Sequence, residues 1–320
     1  MNAKIAILYQ FLQGLWPQTP SRRGKPYSYN WPTLLLFFLV MQLKGIHSYK
    51  AMAAYAPKHH SSFGWLTAPS RKPLSRRFES LPAIVFRLMP LVAQAAKELD
   101  GSTFSFRWAF IDKSVFRALG GVWHKSHRLL GIVPHSSIDT EASWAKSAYH
   151  GWRYGYGLHL VCNANRFPLC CSVTTAATKD ATQLVPLLSQ LLHSLGMVVA
   201  DAGYVALRLV EKLHRCWNLF VLLPTRFKAK ADWLHEYNQL ANTPQARWLY
   251  RQRKATVEPV FALIKELYHL SAENQQPYRG IKKVKPYLMI TAFSIQMMMY
   301  YNYINRAQLA TTKLFLTDFK

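Results

Sequence analysis

Three acidic residues occupy positions that would suit phosphodiester chemistry. The chain has only 15 acidic residues against 40 basic ones, and Asp112, Asp201 and Glu258 are among these few acids. Asp112 and Asp201 each end an apolar, strand-like stretch, whereas Glu258 lies in a basic stretch of helical pattern. Carboxylate oxygens are preferred ligands of hard divalent cations, and two such ions can activate a nucleophile and stabilise a leaving oxygen. The more specific hypothesis is therefore that the three acids bind metal ions. The alternative is that they balance the charge of nearby Lys and Arg residues.

Helical spacing separates the residues around Glu258 into a charged stripe and an apolar stripe. Glu258 is the acid on the charged stripe, which also carries Arg251, Lys254 and Lys265. The apolar stripe predicts the buried side of the helix: Val257, Val260, Phe261, Ile264 and Leu267. An acid among such cations suits a metal ion while its basic neighbours hold phosphates. Pro259 removes a backbone hydrogen bond and disfavours helical geometry at Glu258, so we expect a kink or a restart of the helix there.

The net charge predicts a polyanionic partner. The formal charge is +25 and the isoelectric point is near 10.1, so the chain repels itself unless a polyanion neutralises it. We expect this partner to be nucleic acid, with an anionic membrane surface as the alternative. Binding to either partner is expected to weaken steeply as the salt concentration rises.

A basic segment in the first third of the chain adds candidate phosphate contacts. Residues 69–82 predict the start of a helix that carries four basic residues: Arg71, Lys72, Arg76 and Arg77. Its buried side is predicted to hold three apolar residues at helical spacing: Leu74, Phe78 and Leu81. Helix N-termini that carry Ser and Arg suit phosphate contacts, so we interpret the four basic residues as DNA-binding candidates. An ordinary solvated basic face is the alternative.

The periodicity of the sequence changes at about residue 100. Residues 1–100 are helical in pattern and predict several short helices, and residues 101–305 predict a mixed α/β domain. We predict a five-stranded sheet flanked by helices, with strands at Phe104–Asp112, Tyr156–Cys162, Phe167–Thr175, Met197–Ala200 and Asn218–Leu223. Helices are predicted at Ala181–Leu195 and Tyr204–Arg215. The two aspartates can meet only if the first and fourth strands lie side by side.

The remaining segments have simpler interpretations. Residues 224–245 predict a polar loop or small insertion, helix resumes from about Pro244, and residues 306–320 form a C-terminal tail. Two apolar stretches, Leu34–Leu43 and Tyr287–Ile304, predict buried helices, because the first is about half of the ~20 residues of a membrane span and polar residues interrupt the second. The four cysteines show no CxxC spacing, so we expect reduced thiols and a cytoplasmic, nucleoid-associated protein.

Four short motifs occur in an order that is typical of one enzyme family. They are IDKS at Asp112, YHGWRYGYGLHLV from Tyr149, VVADAGY around Asp201 and KATVEPVFALIK around Glu258. Over about residues 105–305 the chain thereby resembles the DDE transposases of bacterial insertion sequences, of the cut-and-paste type. The resemblance implies a ribonuclease H-like catalytic domain and an α-helical N-terminal region that binds DNA ends. The shared order makes the motifs more specific together than any of them is alone.

The resemblance also implies an activity and its partners. Asp112 and Asp201 would ligate two Mg²⁺ or Mn²⁺ ions, with Glu258 as the third acid of the catalytic triad. The reaction would be in-line attack on a phosphodiester, first by water and then by a freed DNA 3′ hydroxyl. The partners would be double-stranded DNA, as transposon terminal inverted repeats and as target DNA, and a second copy of the chain in a homodimer.

The chain departs from the family pattern in two places. The family has a spaced signature of tyrosine, arginine, glutamate and lysine, and counting from Glu258 places Arg251, Lys254 and Lys265 at its other positions. The basic character survives, but the tyrosine is absent. The second strand often reads Tyr-Gly-x-Lys-x-His in the family, and here Gly157 stands at the lysine position. We therefore expect one phosphate contact to be missing.

Three alternatives remain open from the sequence. Asp139 also follows an isoleucine and is a rival for the first acid, although Asp112 follows the longer strand pattern. The departures at Arg251 and Gly157 suit a degenerate or domesticated relative that binds DNA without cleaving it. A membrane-associated protein that uses Tyr287–Ile304 is the third alternative, and we expect no membrane association.

Overall fold

The computed structural model describes residues 3–16, 29–100, 106–147, 151–191, 195–224, 232–271 and 274–307. The helices are α1 (Ala3–Leu15), α2 (Trp31–Leu43), α3 (Tyr49–His59), α4 (Arg71–Asp100), α5 (Lys125–Leu129), α6 (Leu184–Leu188), α7 (Leu207–Trp217), α8 (Asp232–Ala241), α9 (Pro244–Leu267) and α10 (Ile281–Ile304). The strands are β1 (Trp108–Arg117), β2 (Ser143–Ser147), β3 (Gly151–Asn163), β4 (Pro168–Thr175), β5 (Met197–Ala200) and β6 (Phe220–Leu222). Short 3₁₀ turns lie at His60–Phe63, Asp180–Gln183 and Ala202–Tyr204.

The strands form one mixed sheet with the order β2-β3-β1-β5-β6, in which β4 also pairs with β3. β1, β2 and β4 are antiparallel to β3, whereas β1 is parallel to β5 and β5 to β6. The five predicted strands thus have the order β4-β3-β1-β5-β6, and the first and fourth of them, β1 and β5, are neighbours. The predicted α/β class is confirmed: a mixed sheet is flanked by helices and follows an α-helical N-terminal region.

The sheet has six strands, and the prediction of five was wrong by one. The additional strand is β2, which pairs with the first residues of β3, from Ser143 opposite Gly155 to Ser147 opposite Gly151. The sequence of β2, SWAKS, is short and mostly small or polar, so no alternation of apolar residues marks it. Its strand conformation depends on the pairing with β3.

β1 does not end at Asp112 as predicted but continues to Arg117. Its parallel pairing with β5 stops at Ile111 opposite Ala200, whereas its antiparallel pairing with β3 extends as far as Arg117. Asp112 therefore lies where the parallel pairing ends, in the middle of the strand. The apolar pattern that precedes Asp112 reflects the segment of β1 that is covered on both edges.

One long helix, α4, follows three shorter helices in the N-terminal region, where only short ones were predicted. It spans 30 residues and passes through Pro82 and Pro90. Its buried stripe packs against α10 and β4 and includes Leu74, Phe78, Leu81, Val85, Leu88, Met89, Val92 and Ala96. This burial along the whole helix outweighs the cost of two prolines. Of the described helices, α4 alone is long and apolar enough to cross a membrane, and its apolar stripe faces the protein core.

The two apolar stretches that were predicted as buried helices are confirmed. α2 is buried along most of its length, and α10 is buried from Pro286 to Asn302. A polar residue of α10 connects the two regions of the chain, since Gln296 Nε2 donates to the carbonyls of Met89 in α4 and Pro168 in β4, each at 2.7 Å. The N-terminal helices and the sheet consequently share one hydrophobic core.

Two segments between the later strands differ from the prediction. In place of a helix over Ala181–Leu195, a 3₁₀ turn is followed by the five-residue α6, which contains Pro186. Residues 192–194 lie outside the described residues, as do residues 225–231 of the predicted loop. The rest of that loop contains α8, because Tyr237 is buried and its hydroxyl donates to Val221 O of β6 at 3.0 Å.

α9 begins at Pro244, as predicted, and continues through Pro259 without the expected restart. The proline removes the hydrogen bond to the carbonyl of Ala255, and Ala255 is exposed, so water can bond to that carbonyl. The predicted apolar stripe of α9 is buried at Val257, Val260, Phe261 and Ile264. Of the predicted tail, residues 308–320 lie outside the described residues.

Candidate active site

The three acids line one open cleft beside the end of β5. Asp112 comes from β1, Asp201 directly follows β5, and Glu258 lies on α9, which packs against β1, β3 and β5. The cleft has a volume of about 800 Å³. Its lining is rich in cations: Lys113, Lys146, Arg153, Arg253, Lys254 and Lys265. The structure thus brings the three predicted acids to a single basic cleft.

A buried arginine joins the two aspartates. Arg253 Nη1 donates to Asp112 Oδ2 at 2.6 Å, and Arg253 Nη2 lies 3.4 Å from Asp201 Oδ1. The side chain of Arg253 is 7% exposed, against 17% for Asp112 and 46% for Asp201. The Tyr250 hydroxyl donates to the same Asp201 oxygen at 3.4 Å. Carboxylates from two strands therefore converge on one cationic group.

The surroundings of Asp112 disfavour its charged form. Burial is the largest cause and raises the pKa of Asp112 to about 6. Arg253 and the backbone N–H of Lys113 oppose this rise in pKa, while the charges of Asp201 and Glu258 add to it. An additional cation beside these acids would stabilise the carboxylate.

The three acids supply the oxygen donors that a hard divalent cation prefers, although they are not gathered into a ligand set. No group of three His, Cys, Asp or Glu side chains in the described ranges is positioned to hold a metal ion. Asp112 and Asp201 nevertheless face one cationic group, and Glu258 is exposed in the same cleft. Their oxygens are the ligand type that Mg²⁺ and Mn²⁺ prefer. Asp112, Asp201 and Glu258 are therefore the residues that would hold such an ion.

The predicted basic residues of α9 separate into two groups. Lys254 and Lys265 line the cleft, on the same helix as Glu258. Burial lowers the pKa of Lys265, and the nearby charge of Arg153 lowers it further. Arg251 instead lines a neighbouring pocket, where its Nε donates to the carbonyl of Arg247 at 3.4 Å. The structure thus places two of the three residues at the cleft.

The four predicted basic residues of α4 do not line the cleft. Arg71, Lys72 and Arg76 are exposed in the first two turns of α4, and the Arg77 guanidinium lies 4.8 Å from the centre of the Trp31 ring. Arg71 lines a separate surface pocket of about 540 Å³, which we call the N-terminal basic pocket. Its lining consists of His47, Ser48, Tyr49, Lys50, Arg71, Pro277, Tyr278 and Lys283.

Two residues that the count from Glu258 did not select contact the aspartates of the site. The structure places Tyr250 and Arg253 against the aspartates, one residue before the counted positions of Arg251 and Lys254. The signal was present in the sequence, because Tyr250 and Arg253 keep the signature's three-residue separation. The chain therefore has a tyrosine and an arginine at this site, with one more residue before Glu258.

Other cleft residues were absent from the prediction. Lys146 and Arg153 line the cleft from β2 and β3, and the prediction of the sheet did not include β2. Lys113 and Asp180 also line it and form an ion pair with each other. The IDKS motif contains Lys113, so the lysine was visible in the sequence, but its partner was not.

Asp139, the rival for the first acid, has a structural role. Its Oδ2 accepts hydrogen bonds from the Tyr156 hydroxyl at 2.8 Å and from Gly280 N at 2.9 Å. Its neighbour Glu141 accepts from Ile281 N at 2.5 Å, at the start of α10. Both acids lie between β1 and β2, outside the cleft lining, and connect this loop to α10.

Comparisons with known proteins agree with this site at the level of the family. Residues 110–295 match the Transposase DDE domain family. The comparison with curated protein sequences gave no match.

Several solved transposase complexes share some structural similarity with the chain. In the pre-cleavage Mos1 transpososome, the matching chain is 12% identical with a TM-score of 0.24, and the match covers 93% of this chain and 85% of that one. In the Drosophila P element transposase strand transfer complex, the matching chain is 12% identical with a TM-score of 0.26. The match covers 94% of this chain and 66% of that one. The family match spans more than half of the chain and includes Asp112, Asp201 and Glu258. The protein therefore belongs to the DDE transposase domain family.

Proposed function

We propose that the protein is a DNA transposase that cleaves transposon ends and transfers them to target DNA with the help of Mg²⁺ or Mn²⁺. The observation that carries this proposal is the convergence of Asp112 and Asp201 on Arg253 in a basic cleft that Glu258 also lines. Membership of the DDE transposase domain family supports the same class of reaction. Divalent ions held by these acids would activate the attacking hydroxyl and stabilise the leaving oxygen.

The remaining cleft residues suit the binding of a nucleic-acid backbone. Lys146 and Arg153 come from the β2–β3 side of the cleft, and Lys254 and Lys265 come from α9. We assign these four residues to the DNA phosphates, because cations on two sides of an open cleft can bind successive phosphates of a strand. The scissile phosphate would then lie over Asp112, Asp201 and Glu258, in line with the attacking hydroxyl.

The test is DNA cleavage by purified protein. The substrate is linear DNA that carries the inverted repeats flanking the protein's own coding frame, in the presence of Mg²⁺. We expect cleavage to be lost in Asp201→Ala and in Glu258→Gln, because each change removes a metal ligand. Glu266→Gln is the matched control, since Glu266 is also an exposed glutamate on α9 but does not line the cleft. Cleavage that persists in Asp201→Ala would refute the proposal.

A DNA-binding relative without cleavage activity is the second candidate. The position of Arg253 favours it, because a guanidinium already occupies the space between Asp112 and Asp201. Calorimetric titration with Mn²⁺ separates the two candidates. An active transposase should bind Mn²⁺ in a manner that depends on Asp112 and Glu258, whereas an inactive relative should bind terminal DNA and no Mn²⁺.

We further propose a homodimer as the working form and an insertion sequence as the source of the DNA. The reason is the reaction itself, since two transposon ends must be held together during transfer. Light scattering of the protein with terminal DNA would give the mass of two protein chains, and a complex with a single chain would contradict the dimer.

A further inference from the structure

A partly buried ion pair lies beside the three acids. Lys113 follows Asp112 in β1, and its Nζ contacts the carboxylate of Asp180, which lies in the 3₁₀ turn before α6. The two side chains are 15% and 17% exposed. Lys113 Nζ also donates to the carbonyls of Ala176 at 3.3 Å and Thr178 at 3.5 Å. The pair therefore connects β1 to the segment between β4 and α6.

Two glycines leave the space that this pair occupies. A Cβ atom at Gly157 in β3 would lie 2.8 Å from Cδ of Lys113, and a Cβ atom at Gly203 would overlap the carboxylate of Asp180. Neither glycine has a positive φ, so the available space and not the backbone conformation accounts for the absence of a side chain. Gly203 belongs to the 3₁₀ turn that directly follows Asp201. Asp180 therefore packs against the segment that carries the second acid.

The contacts of Lys113 explain the unexpected glycine at position 157. The resemblance leads us to expect a lysine there on β3, and the structure instead places the stem of Lys113, from the neighbouring strand, over Gly157. The positive charge is thus present, but it is directed at Asp180. The missing phosphate contact at position 157 stays a prediction.

A second contact holds the turn after Asp201. Tyr204 is fully buried in this turn, and its hydroxyl lies 2.9 Å from Nδ1 of His159, whose Nε2 is 3.0 Å from the Thr174 hydroxyl. Burial lowers the pKa of His159 to about 3, with a further contribution from Lys113, so the imidazole is neutral. The turn is consequently held against β3 by Tyr204 and against β1, through Asp180, by Lys113.

We infer that Lys113 and Asp180 are positioning residues, which fix the turn after Asp201 relative to β1 so that Asp112 and Asp201 face the same cation. This inference rests on the proposed function. Asp112 and Lys113 are consecutive residues, and Asp180 packs on the turn that begins at Asp201, so the ion pair relates the two acids through a short path of contacts. Residues that orient metal ligands in this way affect metal affinity although they do not touch the metal.

A transfer of the lysine from β1 to β3 tests the inference. Lys113→Ser leaves Asp180 without its cation, and Gly157→Lys adds a second lysine stem to occupied space. The double variant, Lys113→Ser with Gly157→Lys, brings one lysine back from the other strand. We expect each single variant to weaken Mn²⁺ binding by about 10–100-fold, and the double variant to recover most of the loss. Lys113→Arg, which keeps the charge, should lose less affinity than Lys113→Ser.

Mn²⁺ affinity is measured by calorimetry on full-length protein at a temperature at which near-ultraviolet circular dichroism shows every variant to be folded. Lys125→Ser, which changes an exposed lysine of α5, is the control and should bind as the wild type does. If Lys113→Ser binds Mn²⁺ as tightly as the wild type, the positioning role is wrong. It is also wrong if the double variant binds Mn²⁺ no more tightly than the single variant that has the lower affinity. If the wild type itself binds no Mn²⁺ that depends on Asp112 and Asp201, the proposed function fails, and the positioning role fails with it.

Discussion

Arg253 supplies the cleft with a cation that belongs to the protein. Its guanidinium contacts Asp112 and Asp201, so the protein itself supplies a positive charge to both acids. A divalent ion that binds the same carboxylates must displace this guanidinium or share the acids with it. Arg253 is therefore expected to stabilise the metal-free protein more than the metal-bound protein.

The variant Arg253→Met tests this expectation. In EDTA we expect the free energy of unfolding to fall by about 1–3 kcal/mol, because the mostly buried Asp112 carboxylate loses its cation while the half-exposed Asp201 carboxylate is solvated. In excess Mn²⁺ the loss should be smaller, since the metal replaces the missing charge. Urea unfolding under both conditions gives the two free energies. The control is Arg215→Met, which breaks an exposed ion pair with Glu211 and should lower the free energy of unfolding by at most about 1 kcal/mol. Equal losses with and without Mn²⁺ would contradict the expectation.

At the residue scale, the sequence identifies the acids of the site directly, whereas Arg253 is found only through its three-residue spacing from Tyr250. Asp112 and Asp201 follow apolar strand patterns that predict their positions near the sheet. Counting from Glu258 selects Lys254, whereas the residue that contacts the aspartates is Arg253, and a shift of one residue rotates a side chain by about 100° around the helix axis. Arg253 is buried against the aspartates, whereas Lys254 is exposed, and counting from Glu258 cannot distinguish them.

At the scale of the elements, the backbones of β1 and β3 approach closely at Gly155. Gly155 of β3 lies opposite Arg117 of β1 and Ser143 of β2, so strands pair with it on both edges. A Cβ atom at Gly155 would overlap the carbonyl oxygen of Phe116 and lie 3.1 Å from Ala118 N. The first glycine of the Tyr-Gly motif is therefore required by the packing of the backbone.

Gly155→Ala should destabilise the protein by about 1–3 kcal/mol or more, because the added methyl group meets backbone atoms that cannot rotate away. Gly196→Ala is the control, since the nearest atom to its Cβ would be Arg107 O at 3.9 Å, an ordinary contact. Chemical denaturation of both variants compares the two costs. A Gly155→Ala protein as stable as Gly196→Ala would show that the strands are further apart than the structure indicates.

The predictability of the elements follows the strength of their apolar patterns. β4, β5 and α9 were predicted near their observed positions, because β4 and β5 are apolar runs beside turns and α9 has helical periodicity, whereas β3 begins five residues before its predicted start at Tyr156. β2 and the second half of β1 are polar on one face and owe their conformation to pairing with β3, which no local pattern shows. The length of α4 was missed for a related reason, since burial against α10 and β4 carries it through two prolines.

At the scale of the whole molecule, the positive charge is present on more than one surface. The cleft contains cations from β2, β3 and α9, and the N-terminal basic pocket adds Lys50, Arg71 and Lys283 from three different helices. Among the described residues, none that lines the N-terminal basic pocket is acidic. DNA that extends beyond the cleft could therefore bind a second time, at the junction of α3, α4 and α10.

The double variant Lys50→Glu with Lys283→Glu should weaken DNA binding and make it less dependent on salt. If each lysine neutralises one phosphate, the slope of log affinity against log salt should decrease in magnitude by about 2. Fluorescence anisotropy with labelled terminal DNA over a salt series measures the slope. Lys125→Glu with Lys212→Glu changes the same charge at exposed residues outside both surfaces and should alter the slope less. An unchanged slope in the first variant would exclude the N-terminal basic pocket as a DNA contact.

The hydrogen bonds of Gln296 to α4 and β4 limit how this chain can be divided or recombined. A fragment that begins after Asp100 would lack Met89 and the rest of the α4 stripe, and would expose the apolar faces of α10 and β4 to water. Such a fragment should aggregate when it is produced alone. The N-terminal helices could be exchanged between homologues to alter which DNA ends are recognised only if α10 were changed to match them. The two regions are therefore expected to be inherited together.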